Sequence, residues 1–81
     1  MNGITGAQIR AARALLRWSA EDLAKAASVG VTTVRRAEAG DGQPSITAAN
    51  LKLIRITLED AGIEFIPENG GGVGARFKNR T

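Results

Sequence analysis

The sequence predicts a mainly α-helical domain of four to five helices that ends in a short C-terminal β-hairpin. Up to about residue 62, apolar side chains recur at helical spacing, and three such segments follow Thr5, Ser19 or Thr47, which are favoured helix N-caps. From residue 63 onward, apolar residues alternate with other residues, which is typical of strands. A hydrophobic content of 43% over 81 residues indicates a folded chain. We therefore expect residues 1–62 to form one helical domain and residues 63–81 to form a hairpin and tail.

The first two predicted helices each begin after a hydroxyl side chain. Thr5 can cap a helix from Gly6 to Arg17, with Gln8 three positions later as its capping-box partner. Alanine, leucine and arginine, all strong helix formers, make up most of this segment. Ser19 can cap a second and shorter helix from Ala20 to Ala27. The two caps therefore predict where both helices start.

The third and fourth helices are predicted from their flanking residues in the same way. A tight turn at 28–30 leads into a third helix from about Val31 to Glu38, and the flexible run 39–42 ends it. Thr47 can cap a fourth helix that runs from Ala48 to about Ala61. The helical part of the chain thus ends close to residue 62.

The predicted hairpin has strands at Ile63–Pro67 and Val73–Phe77 around an Asn69-Gly70 turn. A lone two-stranded hairpin is only marginally stable in water, so its apolar face needs a cover. Either a second copy of the chain or the helices of the same chain can supply this cover. For the homodimer, the expected interface consists of Leu53, Ile56, Ile63, Phe65, Ile66, Val73 and Phe77.

The composition excludes several classes of function, because the sequence contains neither cysteine nor histidine. Their absence removes disulfides, the usual zinc sites, cysteine nucleophiles and histidine general bases together. No paired carboxylates lie on a recognisable catalytic scaffold either, so we expect no enzyme, no metal and no cofactor. The N-terminus has no basic start and no long apolar run. We therefore expect a cytoplasmic protein without a signal peptide, a membrane span or a membrane partner.

The formal net charge is +3, and the charges are distributed unevenly. Residues 1–18 contain Arg10, Arg13 and Arg17 and no acidic residue, whereas all eight acidic residues lie at Glu21 or later. An N-terminal segment that carries only basic charges favours binding to a polyanion, with phosphate as the leading candidate.

Two short helices joined by a tight turn have the geometry of a helix-turn-helix, and the string from Leu23 to Gly40 makes this prediction more specific. The string resembles the phage-repressor and Cro-like, or xenobiotic-response-element (XRE), family. The matching positions are Leu23, Ala24, Val29, Thr33, Val34, Glu38 and Gly40, with Ser28 as the small residue of the turn. The resemblance covers roughly Ile4 to Leu58. It implies that the protein has a lambda-repressor-like fold, binds double-stranded DNA and is encoded by a bacterium or phage. Ser28 replaces the family's usual turn glycine, and Ala20 replaces a glutamine that bonds phosphate in many relatives.

The predicted third helix has two different sides. On a helical wheel, Val34 and Ala37 share one side, whereas Thr32, Arg35 and Arg36 share the opposite side. A helix that docks through its apolar side presents the polar side to the major groove, where arginine can bond guanine O6 and N7 together. The alternative is that the two arginines form a solvated face. The expected base-contacting residues are Val31, Thr32, Arg35 and Arg36.

Contacts with the DNA backbone are expected from residues around this helix, namely Arg10, Arg17, Ser19, Thr33 and Gln43. For Arg10 and Arg17, contact with phosphate and simple solvation both stay open. The resemblance also implies that Arg13 pairs with Glu38, which would form a structural ion pair between the first and third helices.

The leading functional expectation is a sequence-specific transcriptional regulator of double-stranded DNA, acting as a repressor and homodimer, and nucleoid-associated when bound. The alternative is an antitoxin-type or other interaction protein. Such a protein would use the helix-turn-helix for autoregulation and the tail to bind a protein partner.

Overall fold

The computed structural model describes residues 3–79 of the chain. Within this range the helices are α1 (Gly6–Leu16), α2 (Ala20–Ala27), α3 (Val31–Glu38) and α4 (Ala48–Asp60). The strands are β1 (Ile63–Ile66) and β2 (Gly74–Phe77), which form one antiparallel pair. The predicted mainly α fold with a C-terminal hairpin is therefore confirmed, with four helices in the described residues. No helix formed by residues 3–79 has the length and apolar character needed to cross a membrane.

The first two helices begin with complete capping boxes. The Thr5 hydroxyl accepts a hydrogen bond from the Gln8 backbone N–H at 3.1 Å, and the Gln8 side-chain oxygen accepts one from the Thr5 N–H at 2.9 Å. Ser19 and Asp22 exchange the equivalent bonds at 3.0 and 2.9 Å. The N–H that Ser19 donates to the Asp22 carboxylate lowers the pKa of Asp22 below its ordinary value. Each box satisfies two backbone donors that the helix itself leaves free.

Both α1 and α2 end at a non-glycine residue in the left-handed conformation. Arg17 has φ 59°, so α1 ends at Leu16, one residue earlier than predicted. Ser28 also has φ 59° and closes α2 at the position where the family usually carries glycine. A side chain makes this conformation less favourable than it is for glycine, by about 1–2 kcal/mol. The tight turn between α2 and α3 therefore forms with serine in place of glycine.

One hydrophobic core joins all four helices to the hairpin. Its largest fully buried side chains are Ile9, Leu23, Val34, Ile54, Leu58 and Ile63. The position of Ile63 corrects an expectation, because a side chain with 0% exposure in the single chain has no surface to offer a dimer interface. Phe65 is partly buried against the same core. One side of the hairpin therefore packs back on the helices of its own chain, which supply part of the cover that it needs.

The hairpin pairs Ile63 with Phe77 at one end and Ile66 with Gly74 at the other. Its connection spans residues 67–73 and is longer than a two-residue Asn-Gly turn, because β1 ends at Ile66 and β2 starts only at Gly74. The Glu68 carboxylate accepts the N–H groups of Gly70 and Gly72, both of which have positive φ. Val73 consequently lies in the loop and not in the second strand.

Gln8 fastens the hairpin to α1. Its side-chain amide donates one hydrogen bond to the Ile66 carbonyl at 3.0 Å and another to the Gly74 carbonyl at 2.9 Å. The same side chain caps α1 through its oxygen, so both amide hydrogens and the oxygen are engaged. Only 4% of the residue is exposed. One buried polar side chain thus joins the start of the helix-turn-helix to both strands.

Candidate nucleic-acid interface

The third helix docks on the domain through its apolar side. Val34 and Ala37 are 0% and 1% exposed, and the helix packs against α1 and α2. Thr32, Arg35 and Arg36 are exposed on the other side. The structure therefore places these three predicted base-contacting side chains together on a solvent-facing surface, with Val31 half-buried at the N-terminal end of the helix.

The two adjacent arginines of α3 have different surroundings. The Arg35 guanidinium donates to the Glu21 carboxylate in the first turn of α2, at 2.7 Å, and both side chains are more than half exposed. Among residues 3–79, no hydrogen bond or ion pair engages the Arg36 guanidinium. Arg36 can therefore reach a ligand without losing an internal partner, whereas a move of the Arg35 NH2 group to a ligand breaks its bond to Glu21. An exposed ion pair contributes only about 0–1 kcal/mol, so the free-energy cost of breaking it is small.

Arg36 also lines a shallow depression between α3 and α4, together with Thr33, Ser45, Ile46, Thr47 and Asn50. Thr33 is half-buried beside it, and Gln43 is exposed in the connection that follows α3. Sequence reasoning missed Ser45 and Asn50, because nothing in their spacing marks them as neighbours of the third helix. Their polar side chains extend the exposed surface of α3 toward the start of α4.

Arg13 and Glu38 form the ion pair that fixes α1 to the last residue of α3. Two parallel hydrogen bonds join them: Arg13 Nε donates to Glu38 Oε2 at 2.8 Å, and Arg13 NH2 donates to Oε1 at 2.9 Å. A third donor of Arg13 bonds the Trp18 carbonyl at 2.9 Å. The bonds to Glu38 raise the pKa of Arg13, and Glu38 is only 9% exposed. This fork geometry gives strong directional pairing, and it holds the end of α3 against α1.

The residues expected to contact the DNA backbone are not equivalent. Arg17 and Ser19 are exposed at the junction between α1 and α2, and the Ser19 oxygen is used to cap α2. The Arg17 backbone N–H bonds the Ala14 carbonyl, but no hydrogen bond or ion pair within residues 3–79 engages its guanidinium. Arg10 differs, because its guanidinium bonds the Glu38 and Gly40 carbonyls and the Asp41 carboxylate. The sequence predicted either a phosphate contact or simple solvation for Arg10. The structure instead shows that its guanidinium has partners within the chain.

These features together define a helix-turn-helix domain of the DNA-binding class. A family model described as helix-turn-helix matches residues 9–55, which is more than half of the chain. The chain belongs to the XRE helix-turn-helix family of DNA-binding transcriptional regulators. This is a regulatory family and not a typical enzyme family. No curated protein matches the chain.

Proposed function

We propose that this protein is a sequence-specific repressor that binds double-stranded DNA as a homodimer, with α3 in the major groove. The observation that carries the proposal is the surface of α3. Its exposed side presents Thr32, Arg35 and Arg36, and its buried side is held by Val34 and by the Arg13–Glu38 pair. A rigidly docked helix with an exposed guanidinium side matches what reading of base edges requires.

Arg36 is the principal base-reading residue in this proposal. It has no partner to leave within the described part of the chain, and a guanidinium can bond guanine O6 and N7 together. The Thr32 methyl group and the half-buried Val31 suit contact with a thymine methyl. Arg17, Ser19, Thr33 and Gln43 supply backbone contacts on either side of α3, which place the helix in register without reading sequence.

The homodimer is supported by apolar side chains that the single chain leaves exposed. Leu53 and Ile56 are 45% and 38% exposed on the side of α4 that faces away from the core, and Val73 and Phe77 are 41% and 45% exposed on the hairpin. Half-buried Phe65 and Ile66 extend the set. The described chain measures 31 × 27 × 18 Å, so two copies side by side suit half-sites about 34 Å apart, one turn of DNA. Repression then follows from occupation of a promoter.

The exposed hairpin residues Val73 and Phe77 also favour a second candidate, an antitoxin-type protein whose tail binds a partner protein. The two candidates differ in what the purified chain does alone. Sedimentation at tens of micromolar is expected to show a dimer for the repressor. A monomer that forms a stable complex with a second chain would favour the antitoxin instead.

Selection from a pool of random duplexes tests the proposed function directly. The wild-type chain is expected to enrich a two-fold symmetric site with half-sites one helical turn apart. Arg36→Ala is expected to weaken binding to that site by about 1–3 kcal/mol, with little change in melting temperature. Lys25→Ala is the matched control, because it removes one exposed positive charge from the end of α2, outside the residues proposed to contact DNA or a second copy. Failure to enrich any site, or equal losses in the two variants, would contradict the base-reading role of α3.

A further inference from the structure

The first turns of α1 supply hydrogen-bond donors to carbonyl groups at the end of α3 and directly after it. The backbone N–H of Gly6 bonds the Gly42 carbonyl at 2.9 Å, and the N–H of Ala7 lies 3.5 Å from the Asp41 carbonyl. One turn further along α1, Arg10 NH1 donates to the carbonyls of both Glu38 and Gly40. Carbonyl oxygens of residues 38, 40, 41 and 42 are thus all bonded by the same short stretch of α1.

The bond from Arg10 to the Glu38 carbonyl takes the place of a glycine-based C-cap, which α3 does not form. Its C-cap, Ala39, is in the right-handed conformation, and neither Gly40 nor Gly42 has positive φ. The glycine-based C-cap that commonly satisfies the last carbonyls of a helix is therefore absent from this part of the described chain. Arg10 satisfies the Glu38 carbonyl instead, and its positive charge is favourable at a helix C-terminus.

The close approach of α1 to this region depends on Gly6. A Cβ atom at this position would lie 2.2 Å from the Gly40 carbonyl oxygen and 2.8 Å from that of Ala37. Both are backbone atoms, so neither can turn away. Only glycine lets α1 come near enough for its donors to reach the connection between α3 and α4.

Resting on the proposed function, we propose that Arg10 is a positioning residue that fixes α3 and residues 39–43 for sequence discrimination and does not bind phosphate. Both hydrogens of its NH1 are directed at carbonyls, and NH2 is paired with the Asp41 carboxylate, which offsets the positive charge. Specific binding needs α3 at one angle so that Arg36 meets a base edge. Non-specific binding needs mainly the positive charges. Loss of the Arg10 contacts therefore acts on the ratio of specific to non-specific affinity.

Three variants separate positioning from phosphate binding. Arg10→Ala removes the contacts and the charge, whereas Arg10→Lys keeps the charge but cannot bond two carbonyls and a carboxylate in a planar fork. Arg17→Ala is the matched control, because Arg17 belongs to the same basic N-terminal segment, residues 1–18, and its side chain is exposed. Affinity for the selected site and for random duplex is measured over a range of salt concentrations. All measurements are made well below each variant's melting temperature, with folding checked by circular dichroism.

Both Arg10 variants are expected to lower the ratio of specific to non-specific affinity by about tenfold, as when one bidentate base contact is weakened. Their salt dependence should match that of the wild type. Arg17→Ala should instead weaken both affinities alike and reduce the salt slope by about 0.9, the effect of one lost phosphate contact.

Two results would overturn the inference while the wild type still selects a site. One is a reduced salt slope in Arg10→Ala that is restored in Arg10→Lys, which would assign Arg10 to phosphate. The other is a lower melting temperature with an unchanged affinity ratio, which would leave Arg10 with a role in stability alone. A wild type that selects no duplex would instead refute the proposed function, and the inference with it.

Discussion

Replacement of Gln8 by alanine is the most informative test of how the hairpin is held to the domain. The change removes both donors to the Ile66 and Gly74 carbonyls and the acceptor for the Thr5 N–H. Each hydrogen bond contributes about 1 kcal/mol net, so the three together predict a loss of about 3 kcal/mol. A domain of this size has a total stability of about 4–12 kcal/mol. At about 4–8 °C per kcal/mol, the melting temperature should fall by about 12–24 °C.

The measurement combines unfolding in urea, followed by circular dichroism, with amide hydrogen exchange. Thr5→Ala is the matched control, since it removes only the cap on α1 and should cost about 1 kcal/mol. In Gln8→Ala, the exchange protection of amides in β1 and β2 should fall by more than the loss in the global free energy of unfolding. In Thr5→Ala, it should fall only by that global loss. If Gln8→Ala loses no more stability than Thr5→Ala, the two bonds to the hairpin carry no net energy and the reasoning fails.

A charged variant tests the direction of these bonds. Gln8→Glu keeps an acceptor for Thr5 but turns carboxylate oxygens toward the Ile66 and Gly74 carbonyls. It should therefore destabilise at least as much as alanine at neutral pH. Acidification lets the carboxyl group carry a proton and donate one hydrogen bond, so the stability gap to the wild type should narrow as pH falls. A gap that is independent of pH would argue against donation to the strands.

Two further predictions address the ion pair and the dimer. Glu38→Ala leaves Arg13 half-buried without its partner and should cost about 3 kcal/mol, whereas Glu59→Ala removes a more exposed i,i+4 pair and should cost about 0.5 kcal/mol or less. Equal melting temperatures for these two variants would contradict a structural role for the Arg13–Glu38 pair. Leu53→Asp places a charge on the outer side of α4, so sedimentation should show a monomer with unchanged helical content. A dimer that persists in this variant would show that the interface does not involve the outer side of α4.

Arg10 and Gln8 show how far sequence reasoning reaches at individual side chains. Gln8 was identified as a capping partner because the box has a fixed spacing of three residues. Its bonds to the hairpin were missed because they join residues 58 and 66 positions apart. The sequence leaves Arg10 open between phosphate contact and solvation, because a guanidinium suits phosphate oxygens as well as it suits water or carbonyls. Only its location beside the C-terminal end of α3 shows that it bonds the Glu38 and Gly40 carbonyls and the Asp41 carboxylate.

The sequence alone determined the local features of this protein. It predicted the caps at Thr5 and Ser19, the bounds of α2 and α3, and the two sides of α3, because each depends on neighbours within about one helical turn. The tertiary structure decided the rest: the burial of Ile63, the return of the hairpin onto its own helices, and the partners of Arg10. Those outcomes depend on which distant segments fill the same space, and neither periodicity nor spacing along the chain contains that information.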